Sequence, residues 1–269
     1  MASVSVTAGR AASVLQTIER SVRLVTTAVS FAIFGLGGLA MALIVFPAFH
    51  LFVRDRRRRA GIAQASVHGA WRLYVRVIQA MGTVSVSCDR PDVLRGLRGT
   101  IVVANHPSLL DVVFLMSFME RTRAVVKAGV WRNPFMAGVV TAADYIPNLG
   151  DPEKLIADCA AALKEGANLV IFPEGSRTPE GQPRRYQKGF AHAALTAGAP
   201  IQIVTITVDP PMLRKGEPWH SVPMRRGHWT IRVHERIDTV GQYGYDRSAS
   251  AVRKLTMDVS GRIEGLLRA

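Results

Sequence analysis

Two kinds of apolar pattern divide this chain. From Leu24 to Val53, thirty residues pass without a Lys, Arg, Asp or Glu. Beyond residue 83 the apolar positions fall instead into short runs bounded by Pro, Gly and polar residues. At ~1.5 Å per helical residue the long run exceeds the ~30 Å of a hydrocarbon core, so it predicts a membrane anchor. It is too long for a signal-peptide core and has no clear small-residue cleavage site. A spanning helix is one form of that anchor. Gly35, Gly37, Gly38 and Pro47 permit another, a hairpin dipping into one leaflet. Arg54 and Arg56 to Arg59 follow the run and favour the cytoplasmic side. Arg10, Arg20 and Arg23 at the other end make the asymmetry partial.

Next, Trp71, Tyr74, Val75 and Ile78 recur at helical spacing, with Arg72 and Arg76 between them. This amphipathic helix, placed at residues 61–82, lies on a bilayer surface or packs on the following domain. After it, strand and helix signals alternate. Val84 to Cys88, Thr100 to Ala104, Ala124 to Lys127, Leu169 to Phe172, Ile201 to Val208 and Trp229 to Val233 read as strands. Ser108 to Met119, Asn133 to Val140, Pro152 to Lys164 and Lys188 to Ala197 read as helices. Val252, Leu255, Val259, Ile263 and Leu266 stripe a final one. Asp151-Pro152 and Gly166 carry start and stop signals for the third helix. The alternation predicts an α/β domain over residues 83–269, with a mainly parallel sheet flanked by helices. Residues 1–60 form the N-terminal tail and anchor with its basic flank.

Charge sharpens the picture. Lys and Arg number 34 against 20 Asp and Glu, a formal +14. The basic residues adjoin an apolar anchor, aromatics are 7%, and no nucleic-acid module is recognised, so nucleic acid is not the expected partner. Anionic phospholipid headgroups explain the charge more simply. The late cluster Arg214, Lys215, Arg225 and Arg226 serves the same end or forms a solvated face. Cys88 and Cys159 lie far apart and lack ligand-spaced neighbours, which points away from a disulfide framework or a metal site.

The chemistry gathers at two corners. Asn105-His106-Pro107-Ser108-Leu109-Leu110-Asp111 follows a short strand and places His106 and Asp111 five positions apart. Pro107 suits a helix's first position, where its missing N–H costs nothing. Asp111 then reaches back to one ring nitrogen of His106, leaving the other to take a proton from a hydroxyl. That is the base-and-orienter half of a hydrolase triad, with the nucleophile brought by the substrate. Backbone N–H groups near the helix start are candidates for holding an oxyanion. The second corner is Phe172-Pro173-Glu174-Gly175-Ser176-Arg177. Arg177 offers a planar fork of donors for phosphate or carboxylate. Gly175 permits a backbone geometry or approach that a Cβ would block. Glu174 is expected to orient Arg177 or the loop backbone rather than act as an acid.

Together the two corners resemble the 1-acylglycerol-3-phosphate acyltransferase family. Its Asn-His-(four residues)-Asp block matches Asn105 to Asp111, and its Phe-Pro-Glu-Gly-(Thr/Ser)-Arg block matches Phe172 to Arg177. Lys127 to Phe135 looks like the family's intervening segment, and Lys188-Gly189 follows as the family's Lys-Gly pair does. The resemblance implies His106 as general base and Asp111 as its partner. It implies that Glu174, Gly175, Ser176 and Arg177 hold glycerol phosphate, and it adds Asn105, Lys127, Asn148, Lys188 and Gly189 to the substrate site. It implies no cofactor, only a co-substrate thioester, acyl-CoA or acyl-carrier protein. Membrane lipids are the other expected partners, and the expected location is a bacterial inner membrane with the domain on its cytoplasmic side. No feature sets an oligomeric state.

The chain departs from the family at two places. Asn148, in Asp144-Tyr145-Ile146-Pro147-Asn148, stands where many members carry a phosphate-binding arginine. An amide offers neither its charge nor its forked donors. Ile203 replaces a proline in the fourth block. The Tyr-Ile-Pro-Asn variant and Lys215-Gly216-Glu217-Pro218-Trp219 are similar to acyltransferases encoded with aryl-polyene pigment pathways. The leading expectation is acyl transfer to 1-acylglycerol-3-phosphate, giving phosphatidic acid. The alternatives are the same transfer to a non-phosphate lipid or pigment precursor, and a non-catalytic membrane adaptor.

Overall fold

The computed structural model describes residues 2–179 and 181–269, apart from the side chains of residues 2–16, 56 and 57. The side chains of Arg10, Arg56 and Arg57 in the basic flanks thus lie outside the described residues.

The apolar run is helical throughout. Helix α1 (Ala2–Ala40) passes through a π-turn at Met41–Val45 into α2 (Phe46–Phe52). In that turn the Phe46 N–H donates to the Met41 carbonyl, five residues back. Pro47 follows directly, and a proline removes a regular helical donor, so a wider turn just before it relieves the ladder. The stretch Thr17–Phe52 is 36 residues of continuous helix with the length and composition to cross a bilayer. Leu36, Leu43, Ile44, Leu51 and Phe52 are all exposed along it. The chain reverses at Val53, and the Asp55 carboxylate caps α3 (Arg56–Ala80) by accepting from the Arg58 N–H at 2.7 Å.

The α/β domain follows: β1 (Val84–Cys88), α4 (Pro91–Gly96), β2 (Ile101–Ala104), α5 (Asp111–Ser117), β3 (Thr122–Lys127), α6 (Ala128–Trp131), α7 (Ala137–Ala142), β4 (Ile146–Asn148), α8 (Pro152–Lys164), β5 (Asn168–Ile171), α9 (Gly189–Ala197), β6 (Ile201–Asp209), β7 (Gly227–Ile237), α10 (Thr239–Tyr243) and α11 (Ala249–Arg268). The seven strands form one mostly parallel sheet in the order β1-β7-β6-β2-β5-β3-β4. Strands β6, β2, β5, β3 and β4 run the same way, and β7 turns against β6 with β1 parallel to β7.

Each face of the sheet has its own core. On one, Phe114, Val102, Val204 and Trp229 meet α3 through Val67, Tyr74, Val75 and Ile78. The apolar stripe of α3 thus has Tyr74, Val75 and Ile78 buried in the domain, so packing accounts for those side chains. On the other face, α8, α9 and α11 bury Cys159, Phe190, Val252, Leu255 and Val259 against Ile101, Leu169 and Ile203. The anchor docks closely: a Cβ at Gly38 would overlap the Phe135 carbonyl, and one at Gly138 would overlap Ala42.

Several expectations need correction. Pro107 is not the first residue of a helix, because α5 begins only at Asp111 and the backbone between them is irregular. The helix predicted from Asn133 starts at Ala137, where the Asn133 side chain instead accepts from the Phe135 N–H. Strand β4 escapes a reading from periodicity: it has three residues, one of them Pro147, tolerable because it lies at the sheet edge. Strand β7 is longer than the predicted Trp229 to Val233.

Parallel strands put their carboxyl ends on one edge, the usual place for sites in open α/β sheets. That edge carries His106 and Glu174, just past β2 and β5, and Lys127 and Asn148, the last residues of β3 and β4.

Candidate active site

His106 turns the chain out of β2. Its Nδ1 lies 2.8 Å from Asp111 Oδ2. A buried carboxylate can only accept, so Nδ1 carries the proton and Nε2 of the neutral ring is left bare. The imidazole stacks on Phe172 with ring centroids 4.2 Å apart and planes 24° from parallel. One side chain from each corner therefore fixes the imidazole.

Asp111 is fully buried and takes three donors. Besides His106, the Ser108 N–H reaches Oδ2 at 2.6 Å and the Trp229 indole N–H reaches Oδ1 at 3.0 Å. Burial pushes this carboxyl above its ordinary value, while His106, Ser108 and Trp229 pull it back down. Each donor to a charged group contributes about 1.5–3 kcal/mol, so together they offset much of the desolvation. Trp229 is a partner the sequence reading missed. A tryptophan alternating with apolar residues on a strand reads as core, and it is core as well, edge-to-face with Phe114 at 5.0 Å.

Glu174 departs in part from its expected role. It was expected to orient Arg177 or the loop backbone, and it takes backbone, but across the site. Its Oε1 accepts the His106 N–H at 2.9 Å, and its Oε2 accepts the Thr178 hydroxyl. Arg184 Nε lies 3.9 Å from Oε1. Burial raises this carboxyl above the usual range, opposed by the His106 N–H and by Arg184. The two sequence blocks are thus joined at His106 itself.

Four backbone N–H groups ahead of α5 are already engaged. The N–H groups of His106, Ser108, Leu109 and Leu110 donate to Glu174, Asp111, the Leu213 carbonyl and Ser108 Oγ. None of these four is free beside the helix start.

Asn105 was assigned to substrate and is structural instead. It is 2% exposed, and its amide exchanges two hydrogen bonds with the Ile206 backbone, at 2.8 and 2.7 Å. Both ends of the side chain are committed to β6. Gly175 has φ +67, and its N–H closes a turn onto the Phe172 carbonyl at 2.9 Å. A Cβ there would meet only Gln187 Cγ at 3.7 Å, so the position needs glycine for its backbone conformation rather than for space.

Arg177 Nη1 donates to the carbonyls of Leu213 and Arg214, at 2.8 and 3.0 Å, and so clamps the loop of residues 210–226. Lys215 Nζ from that loop donates to Ser176 Oγ at 3.1 Å. A pocket of about 490 Å³ opens here, with Glu174, Ser176, Arg177 and Lys215 among its walls. Lys127 and Asn148 are register partners at the ends of β3 and β4, both exposed, on the same edge but at the outer side of the sheet. Lys188 and Gly189 are exposed at the start of α9. A larger groove of about 2120 Å³ opens on the opposite edge, against α2, α3 and the starts of β3 and β5. It lies away from His106, so the chemistry rather than the volume locates the site. Among the described residues no group of three His, Cys, Asp or Glu could hold a metal.

Comparison with known proteins finds relatives of one kind. Residues 85–208 match the acyltransferase family model. The chain is 27% identical over 110 residues to a chloroplast 1-acyl-sn-glycerol-3-phosphate acyltransferase of Brassica napus, covering 39% of this chain and 32% of that one. It is 29% identical over 106 residues to a 1-acyl-sn-glycerol-3-phosphate acyltransferase of Pseudomonas aeruginosa, covering 38% and 41%. The similarity to these relatives thus spans less than half of their length. The crystal structure of the 1-acyl-sn-glycerophosphate acyltransferase of Thermotoga maritima shares the fold, with a TM-score of 0.70 at 21% identity over 94% of this chain and 98% of that one.

Proposed function

We propose, from the match of residues 85–208 to the acyltransferase family model, that the protein is a membrane-anchored O-acyltransferase that acylates 1-acylglycerol-3-phosphate. The donor is a thioester, acyl-CoA or acyl-carrier protein. The observation that carries this reading is the His106–Asp111 pair, 2.8 Å apart, with Nε2 bare at the sheet edge. In the reaction Nε2 accepts the proton of the acceptor hydroxyl as its oxygen bonds to the thioester carbon. The tetrahedral intermediate then expels the thiolate, which takes the proton back from Nε2. Asp111 stabilises the imidazolium between these steps and keeps the ring oriented.

The exposed apolar stripe of α1 and α2 supports attachment to a bilayer, and the domain sits on the cytoplasmic side, where acyl carriers are found. A second reading rests on Asn148, which offers no cation at the end of β4. In it the acceptor lacks a phosphate.

The test is acyl transfer by purified, detergent-solubilised protein, wild type beside His106→Ala. Labelled acyl-CoA is offered with lysophosphatidic acid and with a phosphate-free lysolipid, and products are identified by mass spectrometry. We expect phosphatidic acid from the wild type and at least about a hundredfold loss in the variant. A folded His106→Ala protein with undiminished turnover would remove the mechanism. Product on the phosphate-free acceptor alone would favour the second reading.

A further inference from the structure

We propose that the loop of residues 210–226 supplies the acceptor's phosphate site, with Lys215 as the cation that Asn148 does not provide. The inference rests on the acyl-transfer reading above and names the ligand class of that site, a phosphomonoester.

Four observations point there. First, the loop is built rather than loose. Met212 and Leu213 are 3% and 2% exposed, Leu213 holds a φ of +55, and its carbonyl receives both the Leu109 N–H and Arg177. Second, Arg177 directs Nη1 at two carbonyls of this loop. The guanidinium on the Glu174 corner thereby holds Lys215 beside Ser176. Third, the pocket is rich in donors: Arg177, Arg185, Lys215, Ser176 and Gln182 line it. Glu174 is its one described acid, and that carboxylate is occupied by the His106 N–H and the Thr178 hydroxyl. Among the described residues neither Lys215 nor Arg185 is in an ion pair. Fourth, the pocket adjoins the base, because the carboxylate on its wall is the one that binds the His106 backbone.

A phosphomonoester carries close to two negative charges near neutral pH and several strong acceptor oxygens. Lys215 and Arg185 match that charge, and the Lys215–Ser176 contact, a single exposed hydrogen bond, yields readily to a phosphate oxygen. Asn148 lies on the other side, at the end of the outermost strand, two strands beyond β5. The same loop also touches the anchor, with Trp219 edge-on to Phe31 at 6.2 Å.

The experiment uses the detergent-solubilised full chain as wild type, Lys215→Ala, Lys215→Arg and Asn148→Arg. Binding of glycerol 3-phosphate is titrated calorimetrically, with glycerol as the uncharged control. In parallel the ratio of kcat/KM for lysophosphatidic acid to that for a phosphate-free lysolipid is measured. Lys215→Ala is expected to weaken glycerol 3-phosphate binding and lower the ratio, each by about tenfold or more, with Lys215→Arg restoring most of both. Lys215-dependent binding without any acyl transfer would keep the phosphate site and remove the acyl-transfer reading. Acyl transfer and binding that both ignore Lys215 would overturn the site and leave the enzyme. A gain on Asn148→Arg with no loss on Lys215→Ala would return phosphate recognition to β4 and overturn the proposal.

Discussion

The Glu174 carboxylate accepts the backbone N–H of His106 at 2.9 Å, so the loop after β5 holds the His106 corner after β2. A residue placed to look like an acid is thus a tie between two strands. Glu174→Ala is expected to leave a buried N–H without a partner and to cost about 1–3 kcal/mol of stability. kcat should fall at least tenfold as the imidazole loses its fixed approach. Glu174→Gln keeps an accepting oxygen and should retain most of the stability. Thermal melts beside steady-state kinetics check both, and an Ala variant as stable and active as wild type would sink the role.

The same group gives stability a pH dependence. Burial raises the folded pKa of Glu174 above its ordinary 4.5, so the native state holds this proton more tightly than the unfolded chain does. Stability from this group is therefore present below the ordinary value and lost as pH rises through the raised one. On going upward from pH 4.5, the melting temperature of wild type should fall relative to that of Glu174→Gln, which does not titrate. A constant difference across that window would contradict the raised value.

Trp229→Phe removes one hydrogen bond from Asp111 Oδ1 and keeps most of the ring. The carboxylate loses a donor that favours its charged form, so the Asp111 pKa rises further. We expect kcat to drop roughly tenfold, KM to change little, and the acid limb of the kcat profile to move upward. Trp229→Ala also empties a buried site and should add about 3–5 kcal/mol of destabilisation. An unaltered pH profile in the Phe variant would reduce Trp229 to packing alone.

Gly138→Val tests the seat of the anchor. The added Cβ overlaps Ala42 in the π-turn, and such overpacking costs about 1–3 kcal/mol. At Gly37 a Cβ meets nothing within 4 Å, so Gly37→Ala should be neutral or stabilise by up to about 1 kcal/mol. Limited proteolysis near residues 53–55 reads the difference. Equal behaviour of the two variants would mean that the helix is not seated on α7.

Local chemistry was legible in the sequence where it acted locally. The β2 and β5 runs, each ending in a polar corner, announced the edge where His106 and Glu174 meet, and the five-residue spacing announced the Asp111 contact. The Asp151 cap and the extent of α8 were also readable, because both signals lie within one turn. What stayed hidden was long-range. Trp229 reaches Asp111 from 118 positions away. Asn105, an amide beside His106, turns inward to β6 because only the folded sheet brings Ile206 beside it. Lys215 looked like part of a surface cluster until the loop folded back onto Ser176.

Strand β7 carries Trp229 and lies between β6 and β1. It begins at Gly227, beyond the matched stretch that ends at residue 208. The recognisable unit is therefore smaller than the working one. A fragment trimmed to the matched stretch would leave β1 stranded without a neighbour, bare one oxygen of the aspartate, and discard the loop that Arg177 holds. Grafts and chimaeras made with relatives should take their seam after α11, even though the likeness fades some sixty residues earlier.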